Sequence, residues 1–519
     1  MFCVVSNQGG TADNIFVLDK FFVMDEFFYF RGAKMYIPSY EQAVRLANGY
    51  KTIPISCQIL SDIKTPIQVL KILKSVSSHC YMLESLEDSS KWGRYTFLGY
   101  DPKLEFTCLN GVIKINDEII SKNDNPKKYI KSIIEKNKSP KIEGLPTFTG
   151  GLVGYFSYDY IKYSEPSLKL IANDDENFND VDLMLFDKVI VFDNLKQKII
   201  LIVNIKTDNL KQNYDNAVLE LNKMAELIKT GTPAEDKPLK IKSNFRYLFN
   251  KEQYCSMVNK IKTYIKDGDI FQAVLLNRID ADVDGSLLDT YRILRTTNPS
   301  PYMFYFCSND IEIAGASPET LVKLNNGVLH TFPLAGTRQR GKTQEQDLQL
   351  EQELLSDKKE LAEHNMLVDL GRNDLGKISK FGSVQVEKYM SIERFSHVMH
   401  IGSTVRGEIR DDKSALDAID TVLPAGTLSG APKIRACQII NELEQNKRGI
   451  YGGAIGYIDF SGNMDTCISI RIAFKKNNKV FIRSGAGIVA DSVPEKEYQE
   501  CVNKAQAVIN ALKLSQSES

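Results

Sequence analysis

Two pairs of glutamates have the spacing of neighbours on one face of a helix. Glu360 and Glu363 lie in the segment KELAEH, and Glu497 and Glu500 lie in EKEYQE. Side chains three residues apart stack on a helix face, where two like charges repel each other by about 0.2 to 0.5 kcal/mol. Either pair alone is therefore compatible with an ordinary exposed helix face. Four carboxylates gathered in one cleft would instead require protonation or a bound cation.

The ligand type narrows which cation such a cleft would hold. Carboxylate oxygens without a cluster of Cys or His favour a hard ion, and Mg²⁺ that keeps some waters and binds an anionic substrate fits best. The alternative is that the two pairs lie on unrelated surface helices.

Two other segments carry residues that could bind an anion. RSGAGIVADS places Gly485, Ala486 and Gly487 after a predicted strand, where backbone amides can approach a carboxylate closely. A tight turn alone would also explain these small residues. Tyr451 and Arg471 fall in β-like segments, and an arginine in an apolar strand normally needs an anion or a carboxylate partner.

Three polar residues in apolar or small-residue segments are ambiguous on sequence alone. His400 lies in the apolar segment VMHIGS, where a satisfied core histidine is the common outcome. Thr337 in PLAGTRQRG and Thr427 in LPAGTLSGAPKIRA occupy small-residue turns, which indicate only that the backbone lies close to another group.

The composition is that of an ordinary soluble globular chain. The 519 residues carry a formal net charge of −1, so neither a nucleic-acid partner nor an anionic membrane surface is indicated. The nine cysteines form no C-x-x-C motif, which argues against a disulfide framework or a zinc site and fits a reducing cytoplasm.

The elements that would position these residues divide the chain into four stretches. Residues 1–35 are expected to be a disordered extension, because their phenylalanine-rich run is too short and too charged to span a bilayer. Residues 36–205 are an amino-terminal lobe of antiparallel strands, 206–245 a helix and a linker, and 246–519 a catalytic domain of alternating helices and strands. The pattern predicts a two-lobed α+β fold.

Both glutamate pairs fall on predicted helices of the last stretch. One helix is expected over 346–370, ended by Gly371, and another from Pro494, as a first-turn proline, to about residue 513.

Eight motifs in this order resemble those of the chorismate-utilising enzymes over residues 36–512: GDIFQAV, GASPETLV, PLAGTRQRG, KELAEHNMLVDLGRNDLG, VMHIGSTV, GTLSGAPK, GAIGY and GAGIVADSVPEKEYQE. The resemblance implies layered antiparallel sheets flanked by helices, with a chorismate pocket in the carboxy-terminal part.

The resemblance also implies roles for the candidate residues. Glu363 and Glu500 match direct Mg²⁺ ligands, with Glu360 and Glu497 supporting them. Substrate-binding positions are Tyr451, Arg471, Gly485, Ala486 and Gly487 for the enolpyruvyl carboxylate, and Gly336, Thr337 and Thr427 along the ring. Glu319, in GASPE, matches the general acid that protonates the departing hydroxyl, and His400 matches a histidine thought to assist aromatisation.

Two positions indicate which nucleophile is used. Family members that add water are expected to have a lysine base where this chain has Gln272, and an amide is a poor base. Enzymes that make aminodeoxychorismate usually have lysine where this chain has Ala335. We therefore expect ammonia as the nucleophile and anthranilate as the product, in the first committed step of tryptophan biosynthesis. The alternatives are aminodeoxychorismate formation, or a non-catalytic sensor of chorismate or tryptophan.

The family resemblance further implies a regulator and a partner. Tryptophan, as a feedback inhibitor, is expected to bind at Leu83, Glu84, Ser85, Pro301, Tyr302 and Met303, although packing between the lobes is the structural alternative. The chain contains no recognisable glutaminase motif, so ammonia is expected from solution or from a separate glutamine amidotransferase subunit.

Overall fold

Two antiparallel sheets and the helices around them make up the fold. The computed structural model describes residues 35–86, 93–395 and 398–516. The extension predicted over residues 1–35 lies outside these ranges apart from its last residue. In the described chain one sheet has thirteen strands and the other has twelve. The predicted fold class, α+β with layered antiparallel sheets flanked by helices, is confirmed.

The first sheet has the strand order β1-β10-β9-β3-β2-β14-β15-β24-β25-β13-β11, and β12 and β21 also pair with β13. Its strands are β1 Thr52–Leu60, β2 Cys80–Glu84, β3 Tyr95–Tyr100, β9 Lys188–Asp193, β10 Lys198–Lys206, β11 Lys240–Ile241, β12 Arg246–Tyr247, β13 Gln272–Asp284, β14 Tyr302–Cys307, β15 Ile311–Ser317, β21 Gly430–Ala431, β24 Ile472–Lys476 and β25 Lys479–Ile488.

The second sheet has the order β18-β20-β17-β16-β23-β22-β7-β8-β4-β5-β6, and β19 pairs with β20. Its strands are β4 Leu104–Leu109, β5 Val112–Ile115, β6 Glu118–Ser121, β7 Gly151–Phe156, β8 Val181–Phe186, β16 Thr320–Asn325, β17 Val328–Thr331, β18 Leu334–Gln339, β19 Gln385–Arg394, β20 Val398–Glu408, β22 Ala454–Asp459 and β23 Met464–Ile468.

The α-helices are α1 Tyr40–Leu46, α2 Pro66–Val76, α3 Lys127–Glu135, α4 Ile161–Ser164, α5 Leu210–Thr230, α6 Lys251–Lys266, α7 Leu288–Thr297, α8 Gln344–Ser356, α9 Lys358–Gly376, α10 Ala415–Val422, α11 Lys433–Glu444 and α12 Pro494–Leu514. Two 3₁₀ turns span Tyr158–Tyr160 and Gly426–Leu428.

Each sheet contains strands from before and after the predicted linker. Strand β2 pairs with β14 in the first sheet, and β7 pairs with β22 in the second. The predicted boundary over 206–245 therefore divides the sequence, while the strands on either side of it share both sheets.

Alternation along β14 shows where the two hydrophobic cores lie. Phe304 and Phe306 point into the core between the two sheets, while Met303 and Tyr305 point into the core beneath the outer helices. Successive side chains of a strand face opposite sides, so a strand buried on both faces reads as a continuous apolar run.

The helix predicted over 346–370 is two helices, and Gly371 does not end the second one. Asp357 lies between α8 and α9 with extended backbone, and its carboxylate accepts hydrogen bonds from the amides of Lys359 and Glu360. It therefore acts as an N-cap, which the apolar pattern does not reveal. A Cβ on Gly371 would lie 3.1 Å from a methyl of Thr331, so this glycine lets α9 pack closely on β17.

The last helix follows its prediction, since Pro494 occupies the first turn of α12. None of the helices within the described ranges is long and apolar enough to cross a membrane. Seven of the described cysteines, Cys80, Cys108, Cys255, Cys307, Cys437, Cys467 and Cys501, are free thiols.

Candidate active site

The two glutamate-bearing helices approach each other. The pKa of Glu363 on α9 is raised, first by burial and then by the charge of Glu360, and Glu500 on α12 adds to the effect. Burial also raises the pKa of Glu497, to which Glu500 contributes as well. Charges on the two helices therefore act on each other, while the convergence of all four carboxylates around one cation stays a prediction.

These carboxylates are not gathered into a ready coordination shell. Glu360 accepts from Arg338 at 3.5 Å, and exposed Glu500 pairs with Lys504 at 2.7 Å. Among residues 35–86, 93–395 and 398–516, no three acidic, His or Cys side chains are close enough together to hold a metal ion. The donors are nevertheless the oxygen ligands that Mg²⁺ prefers, and their mutual repulsion is what a cation would relieve.

Glu319 lies in the short connection between β15 and β16, at the wall of a cavity formed with Gly426, Thr427, Leu367 and Leu370. Burial raises its pKa to about 7, against the opposing effects of Thr427, Arg471 and Lys504. Thr427 Oγ1 donates a hydrogen bond to Glu319 Oε1 at 3.2 Å. Glu319 thus retains its proton near neutral pH, as a general acid must.

His400 is held with one ring nitrogen engaged. Its Nδ1 lies 2.7 Å from the carbonyl oxygen of Gly336 and 3.1 Å from Thr337 Oγ1. Since a carbonyl only accepts, Nδ1 carries the proton and Nε2 is left as the basic nitrogen. Burial lowers the pKa of His400, which favours this neutral form. The strand position predicted for His400 is confirmed by β20.

Gly336 brings β18 against the glutamate helix α9. It has a φ of 65°, and a Cβ there would lie 2.9 Å from Leu354 and 3.2 Å from Glu360 Oε2. Neighbouring Ala335 is buried opposite Ile401 in the β18–β20 pair. Gly336 therefore cannot accept a side chain, and the methyl group of Ala335 is buried in the sheet.

Arg471 lies at a bend before β24, so its predicted place within an apolar strand is wrong. Its φ is 52°, which a strand pattern does not predict. The side chain is exposed, yet enough protein surrounds it that desolvation lowers its pKa, against the charges of Tyr451 and Glu319. Within the described residues no carboxylate forms a salt bridge with Arg471, so its charge is available to an anion.

Tyr451 is buried in the turn before β22, outside the β-like context expected for it. Burial raises the pKa of its hydroxyl, and the nearby arginines Arg448, Arg471 and Arg483 oppose that effect. The hydroxyl therefore stays protonated and can donate a hydrogen bond.

Gly485, Ala486 and Gly487 lie within β25 and do not follow a strand as predicted. A Cβ on Gly485 would lie 1.9 Å from the carbonyl oxygen of Leu275, so close strand pairing requires this glycine. The small-residue run therefore has a packing reason in addition to any role in binding.

The backbone direction leaves two of these amides unpaired by the sheet. Val274 donates its N–H to Ser429 at 2.9 Å, so the backbone N–H and C=O of Val274 point away from β25. Opposed residues of an antiparallel pair behave alike, so the N–H and C=O of its partner Gly487 point away from β13. By the same alternation Gly485, opposite Leu276, also faces the outer edge. Strand β24 pairs only with the first three residues of β25, so these amides meet an open edge in the described chain.

Lys504 is a site residue that the sequence prediction missed. Its Nζ pairs with Glu500 and lies 3.3 Å from the carbonyl oxygen of Gly485. It also lowers the pKa of Glu319 and of Glu363. The i,i+4 spacing from Glu500 was the available signal, because it places Lys504 one turn further along the same helix face.

Gln272, at the start of β13, is buried beside the edge formed by Gly487. A Cβ on Gly487 would lie 2.6 Å from Gln272 Nε2, so the glycine makes room for the amide. Gln272 Oε1 is buried and accepts no hydrogen bond from the described residues. An unsatisfied buried acceptor is rare, and it is suited to a ligand that donates N–H.

The residues expected to bind tryptophan meet at the β2–β14 pair but do not share one face. Glu84 and Met303 are cross-strand partners on the helix side, whereas Leu83 and Tyr302 contact the core between the sheets. Pro301 immediately precedes β14. The six residues therefore meet at one strand pair with side chains on both of its faces, because strand neighbours alternate, and a tryptophan pocket formed by them stays a prediction.

Glu84 already has partners in this arrangement, and its expected contact with the amino group of tryptophan stays a prediction. It accepts from Arg295 Nε at 2.6 Å and from the Tyr291 hydroxyl at 2.5 Å. Ser85 Oγ, in contrast, is buried and has no hydrogen-bond partner in the described chain.

Residues 78–510 match the model of a family described as chorismate binding enzyme. A relative from Acetivibrio thermocellus named anthranilate synthase component 1 is 46% identical over 489 residues, covering 92% of this chain and 99% of the relative. A relative of the same name from Acinetobacter calcoaceticus is 46% identical over 481 residues, covering 90% of this chain and 96% of its own length.

Two solved structures share the fold. Anthranilate synthase component I from Streptococcus pneumoniae TIGR4 superposes with a TM-score of 0.73 at 38% identity, covering 87% of this chain and 98% of that one. The isochorismate synthase MenF from Escherichia coli gives a TM-score of 0.65 at 18% identity, covering 91% and 98%, and supports the fold alone. The family resemblance of the motifs is confirmed.

Proposed function

Since the chain belongs to the family of chorismate binding enzymes and is an enzyme acting on chorismate, we propose that it converts chorismate and ammonia to anthranilate, pyruvate and water. The observation that carries this proposal is Glu319, a carboxyl that keeps its proton to about pH 7 while facing the charges of Arg471 and Lys504. A proton donor beside two cations, of which Arg471 forms no salt bridge in the described chain, suits a dianionic substrate that must lose a hydroxyl group.

The enolpyruvyl carboxylate is proposed to bind at Arg471, Tyr451 and the outward amides of Gly485 and Gly487. Arginine and oriented backbone N–H groups are strong partners for a carboxylate. Thr337, Thr427 and Gly336 would then line the ring, with Glu319 at its hydroxyl.

Ammonia would add at C2 of the ring as Glu319 gives its proton to the departing C4 hydroxyl, which leaves as water. The C2 proton is then removed as pyruvate is eliminated and the ring becomes aromatic. Neutral His400, whose Nδ1 donates to the carbonyl oxygen of Gly336, would use Nε2 to assist that proton removal. Gln272 Oε1 can accept a hydrogen bond from ammonia but cannot deprotonate water, which favours amination over hydration.

A divalent ion completes the proposal. Glu363 and Glu500 would bind Mg²⁺, supported by Glu360 and Glu497, and the ion would supply positive charge for the ring carboxylate. Without the ion, the charges of Lys359 and Lys504 lower the raised pKa of Glu363 and offset part of the repulsion between the carboxylates.

The test is turnover with defined components. Purified protein, chorismate, an ammonium salt and Mg²⁺ are expected to give anthranilate fluorescence, and EDTA is expected to abolish it. Formation of aminodeoxychorismate would favour the alternative of an aminodeoxychorismate synthase component, and chorismate binding without any product would indicate a sensor. Stimulation by glutamine only in the presence of a glutamine amidotransferase subunit would identify that partner.

The rate is expected to fall above about pH 7. Glu319 must be protonated to act as an acid, so activity is lost as pH rises through its pKa of about 7. The measurement is kcat/KM for chorismate at a constant concentration of free NH₃, because total ammonia titrates in the same region. A profile that stays level from pH 6 to 9 would contradict the assignment.

Tryptophan is proposed to inhibit by binding near Ser85, whose buried hydroxyl has no partner in the described chain. Ser85→Phe is expected to raise the inhibitory concentration of tryptophan at least about tenfold, since a ring would fill the site at a cost above about 1.4 kcal/mol. Ser78→Phe, on an exposed loop beyond the other end of β2, is the matched control. Inhibition that survives Ser85→Phe unchanged would remove this site from consideration.

A further inference from the structure

The edge of β13 that faces away from β25 lacks a strand neighbour along part of its length. Strand β21 pairs with it at Gln272 and Ala273, and β12 pairs with it again at Ile279. Between these points the outward backbone groups of Val274 and Leu276 need other partners, because buried N–H and C=O groups are rarely left unpaired.

Ser429 accepts from the N–H of Val274, and two charged side chains from one stretch of sequence supply partners for the Val274 carbonyl and the Leu276 N–H. Glu444, at the end of α11, accepts from the N–H of Leu276 at 2.8 Å, and Arg448 Nη2 donates to the carbonyl oxygen of Val274 at 2.6 Å. The pair is joined by Arg448 Nε to Glu444 Oε2 at 2.9 Å. Arg448 and Glu444 are 1% and 4% exposed, so this is a buried brace on the strand edge.

Arg448 also reaches the turn that carries Thr427. Its Nη1 donates to the carbonyl oxygen of Leu428 at 2.5 Å, while the guanidinium lies 4.4 Å from the centre of the Tyr158 ring. The backbone N–H groups of the turn bond near neighbours, such as Leu428 N–H to Ala425 at 3.0 Å, and Val274 of β13 donates its N–H to the next residue, Ser429, at 2.9 Å. The Arg448 guanidinium therefore adds a side-chain connection between β13 and this turn to the backbone bond at Ser429.

The Gly426–Leu428 turn also holds Thr427 against Glu319, the proposed general acid. Thr427 Oγ1 donates to Glu319, and that hydrogen bond favours the charged carboxylate. The other charged groups that face Glu319 are Arg471 at the bend before β24 and Lys504 on α12. Of these three interactions only the hydrogen bond from Thr427 comes from the turn, so a shift of the turn would change that bond.

We propose that Arg448, oriented by Glu444, is a positioning residue that holds the Gly426–Leu428 turn against β13 and so sets the contact between Thr427 and Glu319. The inference rests on the proposed function, because it assigns Arg448 a part in that same site. Arginine is required because its planar fork donates to two carbonyls and a carboxylate at once, which the single ammonium of lysine cannot do in the same geometry.

The test compares Arg448→Lys with three other single variants and one double variant. Arg448→Lys is expected to lower kcat about ten- to hundredfold, with a smaller change in KM for chorismate, because misplacing a site element by about 1 Å has effects of this size. The falling limb of the pH profile, measured at constant free NH₃, is expected to move to higher pH, since Glu319 loses a hydrogen bond to its charged form. Thr427→Val is expected to move the limb in the same direction.

The double variant tests whether Arg448 acts through the contact between Thr427 and Glu319. If both residues act through one contact, Arg448→Lys combined with Thr427→Val shifts the limb no further than Thr427→Val alone. Glu444→Gln keeps an acceptor for the N–H of Leu276 and is expected to give a smaller decrease in kcat and a smaller shift of the limb. It replaces Arg448→Lys in the test if that protein fails to fold. Arg246→Lys is the control, because Arg246 donates hydrogen bonds to Asp280 and Asp282 further along β13. This variant is expected to leave kcat and the falling limb of the pH profile unchanged.

Two outcomes overturn the inference. One is an Arg448→Lys protein that melts at lower temperature but keeps the kcat and pH limb of the unmodified protein, as a purely structural brace would. The other is a shift that adds to that of Thr427→Val. Absence of anthranilate from the unmodified protein would instead refute the proposed function itself.

Discussion

Replacing Glu319 with Gln is expected to lower kcat about a thousandfold while leaving the KM for chorismate within a small factor. The amide fills the same space and can still accept the hydrogen bond from Thr427. It cannot donate a proton to the departing hydroxyl, and positioned acids contribute about 10²- to 10⁴-fold. Steady-state rates of anthranilate formation at saturating chorismate and ammonia measure the effect.

Asp459→Asn is the matched control for this variant. Asp459 is also a buried carboxyl whose pKa is raised by burial, to about 6, but it holds the turn with Ser461 and Asn463 away from the site. We expect kcat to be unchanged. A Glu319→Gln protein that retains most of its activity would show that another group supplies the proton.

Replacing Arg471 with Met is expected to reduce kcat/KM for chorismate about ten- to hundredfold, mainly through KM. Hydrogen bonds to charged groups contribute about 1.5 to 3 kcal/mol, and the described chain offers this guanidinium no competing carboxylate. Methionine keeps part of the side-chain volume but none of the donors. Initial rates over a range of chorismate concentrations separate KM from kcat.

Arg246→Met provides the comparison, because Arg246 is paired with Asp280 and Asp282 and lies outside the site. Equal losses of kcat/KM in both variants would indicate a general effect of removing an arginine. An Arg471→Met protein with unaltered KM would exclude this residue from the carboxylate site.

Local patterns in the sequence predicted those features that depend on near neighbours. The first-turn Pro494 marked the start of α12, and the apolar run around His400 marked β20. The family resemblance, carried by eight motifs, supplied the class of substrate and the candidate roles. Spacing alone placed the glutamate pairs on helices but could not show that α9 and α12 approach each other.

Features that depend on distant parts of the chain were missed or misplaced. Gly485 lies inside β25 because this part of the chain pairs with β13, which comes some two hundred residues earlier in the sequence. The local sequence shows only a run of small residues and does not indicate this pairing. Glu84 is neutralised by Arg295 of α7, a partner that no sequence spacing links to it. The left-handed backbone at Arg471 is likewise set by the bend between sheets.

The most direct measurement is the fate of labelled nitrogen. With [¹⁵N]ammonium, chorismate and Mg²⁺, mass spectrometry is predicted to find ¹⁵N in anthranilate, with one pyruvate released for each anthranilate formed. Accumulation of ¹⁵N-labelled aminodeoxychorismate without pyruvate, or a product that contains no ¹⁵N, would contradict the account.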